Sequence, residues 1–513
     1  MTALGLTKTT RFNVIVLIFI GLSLTLRAIS HDAIDLLPEE AYYWNYAQHL
    51  DFGYLDHPPM VALLIKLTTY LGTNELCVRL SSLFCWLLTA FFSFKLTQRL
   101  MPGAGLYSVF LLSILPYFFV ESLIITPDQP LLACWAASLY VLYRALILKE
   151  APYWYLAGIS LGLGMLSKYS IAILGISTLL YILMTPSSRH WLCRKEPYLG
   201  MLITCLLFSP VIYWNAKHDW ISFVFQSTHR LQATPIFTLH HLVGLFILFL
   251  MPPGLLGFWT LFTRQRLPMK HSIPAESKHF LQIFTLVPLI IFGAFSVRHD
   301  IKFNWIGPGL LALIPWLALL IHENSPHTRW NLRQSWFITA ILLIPGYSFI
   351  LWIITFGTPA MVYDTFFIKF ISWENLTQQI QLIAHQVEVK TQSLPIIIPL
   401  DHYFIGSEFS FYQAKNSPMT HYPIVGRHVF GEDSLMYQFW SKREGISGKY
   451  VILLSMDPND FTALSVTSRV ALQSPTHDII SHSQGQGTPS SLFYYQVVRM
   501  KPYAISNAYK SHN

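Results

Sequence analysis

Charge is what this 513-residue chain has least of. Asp, Glu, Lys and Arg make up 12% of it, about half the usual share, while hydrophobic residues reach 53%. That scarcity excludes intrinsic disorder, which needs low hydrophobicity and high charge. It also argues against the roughly three or four soluble domains that the length alone would allow. Cysteine is scarce too. Cys77, Cys85, Cys134, Cys193 and Cys205 lie in apolar segments or in one short basic loop, with no C-x-x-C pair, so neither a disulfide framework nor a zinc site is expected. A phosphate-binding G-x-x-x-x-G-K-[ST] loop is missing, as is a G-x-G-x-x-G turn after a strand; no nucleotide domain is expected. The apolar stretch from Phe12 to Leu26 ends in Arg27 without a small-x-small cleavage pattern and reads as a retained first span.

What is present is a series of apolar runs long enough to cross about 30 Å of hydrocarbon. Candidate spans lie near 13–29, 76–98, 104–121, 130–147, 152–167, 170–185, 197–214, 239–262, 280–297, 307–322 and 334–356. The expected fold class is therefore a polytopic α-helical membrane protein of about 11–13 spans. Placing the N-terminus inside collects the bases on the inner side: Lys8 and Arg11, Lys95 and Arg99, Arg144 and Lys149, Arg189 to Lys195, Arg264 to Lys278, and Arg329 with Arg333. Opposing them there are Glu150, Glu196, Glu276 and Glu323. The formal net charge of +8 thus reports orientation by the positive-inside rule, and no nucleic-acid partner is expected. The outer side gathers Asp32, Asp35, Glu39, Glu40, Asp51, Asp56, Glu75, Glu121, Asp128, Asp219 and Asp300, with fewer bases. Residues 1–356 form the expected membrane domain, with a first outer loop at about 30–75 whose apolar stretch 59–72 is too short to span and lies in the interface. Residues 357–513 form an expected outer α/β domain, with 395–400 and 450–454 as buried strands.

Ionisable residues near span ends ask for a pathway or a site. Glu39 and Glu40 stand in Pro38-Glu39-Glu40-Ala41-Tyr42-Tyr43-Trp44, followed by Asp51 and Asp56-His57-Pro58-Pro59. Acids among aromatics give a partly dehydrated carboxylate suited to general-base work, although a solvated loop with an aromatic belt uses the same residue types. Asp128 is bracketed by Pro127 and Pro130, which hold it at the outer face; a simple turn is the competing reading. Lys168, Arg79, Arg298 and Lys302, near Asn304-Trp305, run against the positive-inside rule. A phosphate headgroup or the acids just named would partner them. Trp214-Asn215 and His218 open a polar outer loop, and a lone His there is no evidence for a metal.

Taken in order, Glu39-Glu40-Ala41-Tyr42-Tyr43-Trp44, Asp56-His57-Pro58-Pro59, Thr126-Pro127-Asp128, Leu166-Ser167-Lys168-Tyr169, Trp214-Asn215 and Asn304-Trp305 resemble the bacterial branch of glycosyltransferase family 39. That group includes protein O-mannosyltransferases and the aminoarabinose transferase of lipid A. In the tail, Gly426 to Gly431 and Ser434 to Tyr437 also look like close bacterial relatives. The resemblance implies a GT-C fold, interfacial helices in the first outer loop, and an active site at the outer face. It further implies inverting transfer from a polyprenyl-phosphate sugar; no cofactor is expected, and the metal requirement stays open.

Glu39 falls where the family has the Asp of an Asp-Glu pair, and Glu40 matches the Glu. His57 stands where the aminoarabinose transferase carries a lysine, and Lys168 matches a lysine expected near the donor phosphate. On this resemblance Glu39, Glu40 and Asp128 are the catalytic candidates. Asp56, His57, Lys168, Arg298 and Asn304 form the substrate-binding set. The expected enzyme is a glycosyltransferase of the bacterial inner membrane, with its N-terminus cytoplasmic and its C-terminal domain periplasmic, acting on lipid A or another envelope glycolipid. Two other readings stay open: a protein hydroxyl as acceptor, and a lipid or sugar transporter with an outer binding domain.

Overall fold

A computed structural model describes residues 8–229, 235–263, 273–302 and 304–323, short pieces between 335 and 352, and residues 373–416, 421–441, 443–482 and 489–502. The expected span 334–356 and the basic residues Arg264, Arg266, Lys270, Arg329 and Arg333 lie wholly or largely outside these residues. The first ten helices are α1 (Lys8–Ala33), α2 (Pro38–Gln48), α3 (Met60–Thr69), α4 (Glu75–Leu100), α5 (Gly105–Ile114), α6 (Pro116–Glu121), α7 (Asp128–Leu146), α8 (Tyr153–Met165), α9 (Ala172–Met184) and α10 (Lys195–Lys217). The chain divides into two compact units, one of residues 1–31, 51–64 and 79–349, the other of residues 32–50, 65–78 and 350–513.

The first unit is helical, and the protein is a multi-pass membrane protein. Among the described residues, five helices are long and apolar enough to cross a bilayer: α1, α4, α10, Leu239–Phe262 and Ala275–Ser296. A sixth span is available if Tyr169–Met184 and Pro186–Cys193, bent by 115°, count as one. Other apolar runs fold as shorter or broken pieces, for reasons written in the chain. The run 104–121 breaks at Leu115, whose extended backbone (φ −67°, ψ 132°) separates α5 from α6, as expected of a residue before a proline. Within Leu239–Phe262, Pro252 and Pro253 follow Met251 at φ 52°, ψ 175°; two missing amide donors and the proline rings interrupt the helix there.

Glycines let α8 and α10 cross closely. A Cβ on Gly158 would stand 2.3 Å from the Gly200 carbonyl oxygen, and one on Gly162 would stand 2.8 Å from Leu207. Thr204 Oγ1 adds a hydrogen bond to the Gly158 carbonyl at 3.0 Å, the small-residue packing that membrane helices use in place of a hydrophobic drive.

The second unit holds a five-stranded mixed sheet. β1 (Ile396–Pro399) runs parallel to β2 (Tyr450–Ser455); β2 is antiparallel to β5 (Pro489–Met500), which also pairs with β3 (Val470–Gln473) and β4 (His477–His482). The expected strands at 395–400 and 450–454 are thus the parallel pair. Ile396, Ile397 and Ile398 are buried, as are Val451 through Leu454, the continuous apolar pattern of a strand covered on both faces.

Residues 32–50 and 65–78 also belong to this unit. Helix α2 packs on the helix Phe404–Asn416: the Trp44 and Phe411 rings meet edge to face at 5.3 Å, and Asn45 Nδ2 donates to the Ser407 carbonyl at 3.3 Å. Tyr42 Oη accepts from the Met436 amide at 3.3 Å, so the motif around Glu39 and the tail motif Ser434 to Tyr437 meet. Lys415 Nζ bridges Glu75 at 2.9 Å and Glu374 at 3.1 Å.

Candidate active site

Four separate stretches of the first unit build a cleft. Helix α7 starts at Asp128, whose amide donates to Thr126 Oγ1 at 3.2 Å. Its carboxylate is therefore fixed at the first helical position, 2% exposed. Helix α8 ends when the Ser167 and Lys168 amides both turn back to the Gly164 carbonyl at 2.9 Å. Lys168 itself is extended (φ −160°, ψ 135°), which sends its side chain away from the helix it follows. The ammonium reaches Asp128 on both oxygens, at 2.8 Å to Oδ1 and 3.0 Å to Oδ2.

From the loop after Ala275–Ser296, Asn304 Nδ2 donates to the same Oδ2 at 2.6 Å. That loop is seated on Tyr117, whose hydroxyl donates to the Asn304 carbonyl at 3.3 Å. A Cβ on Gly307 would stand 1.9 Å from the Tyr117 ring, so this approach requires glycine. Loop 51–59 supplies Asp56, 8% exposed, and His57.

The cleft is lined by Asp56, His57, Pro58, Asp128, Leu131, Lys168, Tyr169, Ser170, Gln226, Phe292, Asn304 and Trp305. One wall is polar and charged; the other, with Leu131, Phe292 and Trp305, is apolar. Such a cleft holds an anion against a fixed cation while leaving an apolar face for a lipid chain or the face of a sugar. Behind it, Glu121 is 1% exposed, and its Oε2 accepts from Gln129 Nε2 at 2.9 Å.

The comparisons with known proteins point the same way. Residues 56–214 match the family model described as dolichyl-phosphate-mannose-protein mannosyltransferase. The lipid A galacturonosyltransferase RgtD of Rhizobium johnstonii is 26% identical over 194 residues, 37% of this chain and 41% of that protein. The matched stretch thus covers less than half the length of that curated relative. The crystal structure of apo ArnT from Cupriavidus metallidurans superposes with a TM-score of 0.64 at 14% identity, over 94% of this chain and 97% of ArnT. ArnT bound to undecaprenyl phosphate gives 0.60 at 14% identity over the same shares. The fold is the GT-C fold of ArnT.

Five of the residues singled out from sequence, Asp56, His57, Asp128, Lys168 and Asn304, line one cleft. Arg298 is exposed and is not among the lining residues. Arg79 is buried at 2% and donates through Nη1 to the His31 carbonyl at 3.2 Å.

Glu39 and Glu40 stand on α2 in the second unit. Glu40 is buried, and its Oε2 accepts from the Leu37 amide at 3.0 Å, closing the first turn of its own helix. In the same unit Asp35, Glu75 and Glu374 bring carboxylate oxygens within 4.8 Å of one another. The Lys415 ammonium already bonds two of them. Burial, then the charge of Glu75, pushes Asp35 up from 3.8 to about 6.

Sequence reasoning passed over Gln226 and Ser170. Gln226 donates to the Asp56 carbonyl. Nothing in its local pattern marks it, because its partner lies 170 residues away.

Proposed function

We propose that this chain transfers a sugar from a polyprenyl-phosphate donor to lipid A or another envelope glycolipid facing the periplasm. The observation that carries the reading is the cleft in which Asp128 holds both the Lys168 ammonium and the Asn304 amide beside His57 and Asp56. ArnT, solved with undecaprenyl phosphate, and RgtD, a lipid A galacturonosyltransferase, support the donor class and the acceptor class. In the transfer, an acceptor oxygen attacks the anomeric carbon from the face opposite the phosphate. The bond from that carbon to the phosphate oxygen breaks, and the polyprenyl phosphate leaves with an added negative charge. Lys168, with His57, meets that charge.

Asp128 is a positioning acid in this reading: its oxygens already accept three hydrogen bonds, so it holds Lys168 and takes no proton. A hydroxyl acceptor would pass its proton to a carboxylate, for which Glu39, Glu40 and Asp56 are the candidates. A phosphate acceptor is already ionised and needs no base; the acids would then orient it. The N-terminus lies in the cytoplasm and the C-terminal domain in the periplasm, a reading supported by the inward bias of Lys and Arg.

The test is transfer by the purified chain from an undecaprenyl-phosphate sugar, followed by mass spectrometry of the lipid product. Lys168→Ala is expected to abolish transfer, and Glu39→Ala and Glu40→Ala each to cut it at least tenfold. Full activity in all three would remove the site. The family model's description favours a protein acceptor as the second reading. Comparison of envelope lipids and protein glycans from a deletion strain separates the two, and no covalent change in either would favour transport.

A further inference from the structure

Loop 51–59, which carries Asp56 and His57, is tied down at points on three other parts of the first unit. At its start, the indole Nε1 of Trp214, near the end of α10, donates to Asp51 Oδ2 at 2.8 Å. Gly53 lies against the same indole, where a Cβ would approach to 3.0 Å. The His218 ring stacks on Trp214 at 4.1 Å and 18°, and His218 Nδ1 meets the Trp214 carbonyl at 2.8 Å. In the middle of the loop, Gln226 holds the Asp56 carbonyl. At its end, the Met60 amide donates to the Leu166 carbonyl at 2.9 Å, immediately ahead of Ser167 and Lys168.

The loop bearing His57 and the turn bearing Lys168 are therefore joined directly at one end, while the other end depends on Trp214. The indole is 3% exposed, and Asp51 is its exposed partner. Asp51 is also fixed locally, since its Oδ1 accepts from the Phe52 amide at 2.7 Å. A tryptophan is the residue type this junction requires: a large flat ring to pack against glycine and histidine, with one N–H to reach a carboxylate.

We propose that Trp214, acting through Asp51, is a positioning residue that sets where His57 stands relative to Lys168 in the cleft. The inference rests on reading the cleft as a donor-phosphate site. It assigns a role to the Trp214-Asn215 motif, which is not among the residues lining the cleft. Losing the indole N–H removes the anchor at the start of the loop and leaves those at Gln226 and Leu166. The spacing of the two phosphate-binding groups then widens, which weakens donor binding and leaves the chemical step of a bound donor little changed.

The experiment uses the full chain in nanodiscs, with undecaprenyl phosphate as the binding probe and transfer kinetics alongside. Trp214→Phe keeps the ring and removes the donor; Asp51→Ala removes the acceptor from an exposed position that folding tolerates; Asp51→Asn keeps an acceptor oxygen. Trp214→Phe and Asp51→Ala are each expected to weaken undecaprenyl phosphate binding and to raise the donor KM about tenfold, with kcat within about twofold. Asp51→Asn is expected to bind within about threefold of the unaltered protein, and Trp214→Phe with Asp51→Ala no worse than either alone.

Normal binding by Trp214→Phe and Asp51→Ala, or effects that multiply in the double variant, would overturn the inference and leave the reading of the cleft standing. No binding by the unaltered protein would instead remove the reading of the cleft, and this inference with it.

Discussion

Breaking the Lys168–Asp128 pair from both sides at once should cost less than the two single breaks summed. The two charges are buried, with side chains 16% and 2% exposed, and they meet on both carboxylate oxygens at 2.8 and 3.0 Å. At these distances and an effective dielectric of about 20, Coulomb's law gives about 6 kcal/mol, of which the cost of dehydrating the ions takes back about half. Lys168→Met leaves a buried carboxylate with only the Asn304 amide beside it and should destabilise the protein by about 3–5 kcal/mol. Asp128→Asn keeps an acceptor for Asn304 and should cost less, about 2–3 kcal/mol. The double variant carries no charge at the junction, so it should recover about 2–3 kcal/mol relative to the sum of the singles. Transfer activity should stay absent in it, because the cation that faces the donor is gone. Denaturant unfolding in mixed micelles reads the first quantity and lipid-product mass spectrometry the second. Single-variant costs that add within about 0.5 kcal/mol, or transfer restored in the double variant, would refute the argument.

Gly307→Ala should drive a methyl into the Tyr117 ring, where the Cβ would stand at 1.9 Å. A loss of about 1–3 kcal/mol together with at least tenfold weaker donor binding is expected, checked by unfolding and by undecaprenyl phosphate titration. Gly158→Val should force α8 from α10, because its Cβ would meet the Gly200 carbonyl at 2.3 Å; a lowered thermal midpoint measures this. Asp35 predicts a pH effect in the second unit: its carboxyl is raised from 3.8 to about 6 by burial and then by Glu75. The stability of the uncharged form is fully present below about pH 4, declines as pH rises, and is lost above about pH 6. Asp35→Asn should therefore match the unaltered protein near pH 4 and exceed it at pH 7, by about 3 kcal/mol at the full shift and nearer 1–2 after solvent screening. Equal stability at pH 7 would refute this.

Hydropathy made the membrane character legible, because an apolar run reports its own solvent. It did not report where such runs break. The turn at Met251 and the extended Leu115 follow from prolines that a bundle tolerates in some helices: Pro210 and Pro288 sit inside continuous ones. Whether a proline breaks a helix depends on what neighbours can satisfy its freed carbonyls, and that information lies elsewhere in the chain. The sheet was legible for the same reason as the spans. Ile396 to Ile398 and Val451 to Leu454 are β-branched or apolar throughout, which marks strands covered on both sides. The joining of 32–50 to the tail was not legible, since it rests on contacts such as that of Tyr42 with Met436, 394 residues apart.

The cleft divides along the same line. Asp128 and Lys168 stand out alone because a charge at a span end demands a partner, and the structure makes each the partner of the other. That pairing changes what Asp128 does. Read from sequence, a carboxylate at the outer face is a candidate base; with Lys168 on both oxygens and Asn304 on one, a proton arriving there would displace a charge-assisted bond. A base must be able to take its proton without losing the contact that places it, so the proton of a hydroxyl acceptor has to go to a carboxylate that holds no cation. Asp56 lines the same cleft and is 8% exposed. If the acceptor is a hydroxyl, Asp128→Asn should lower transfer through weaker donor binding while leaving its dependence on acceptor ionisation unchanged, whereas loss of the base should change that dependence directly.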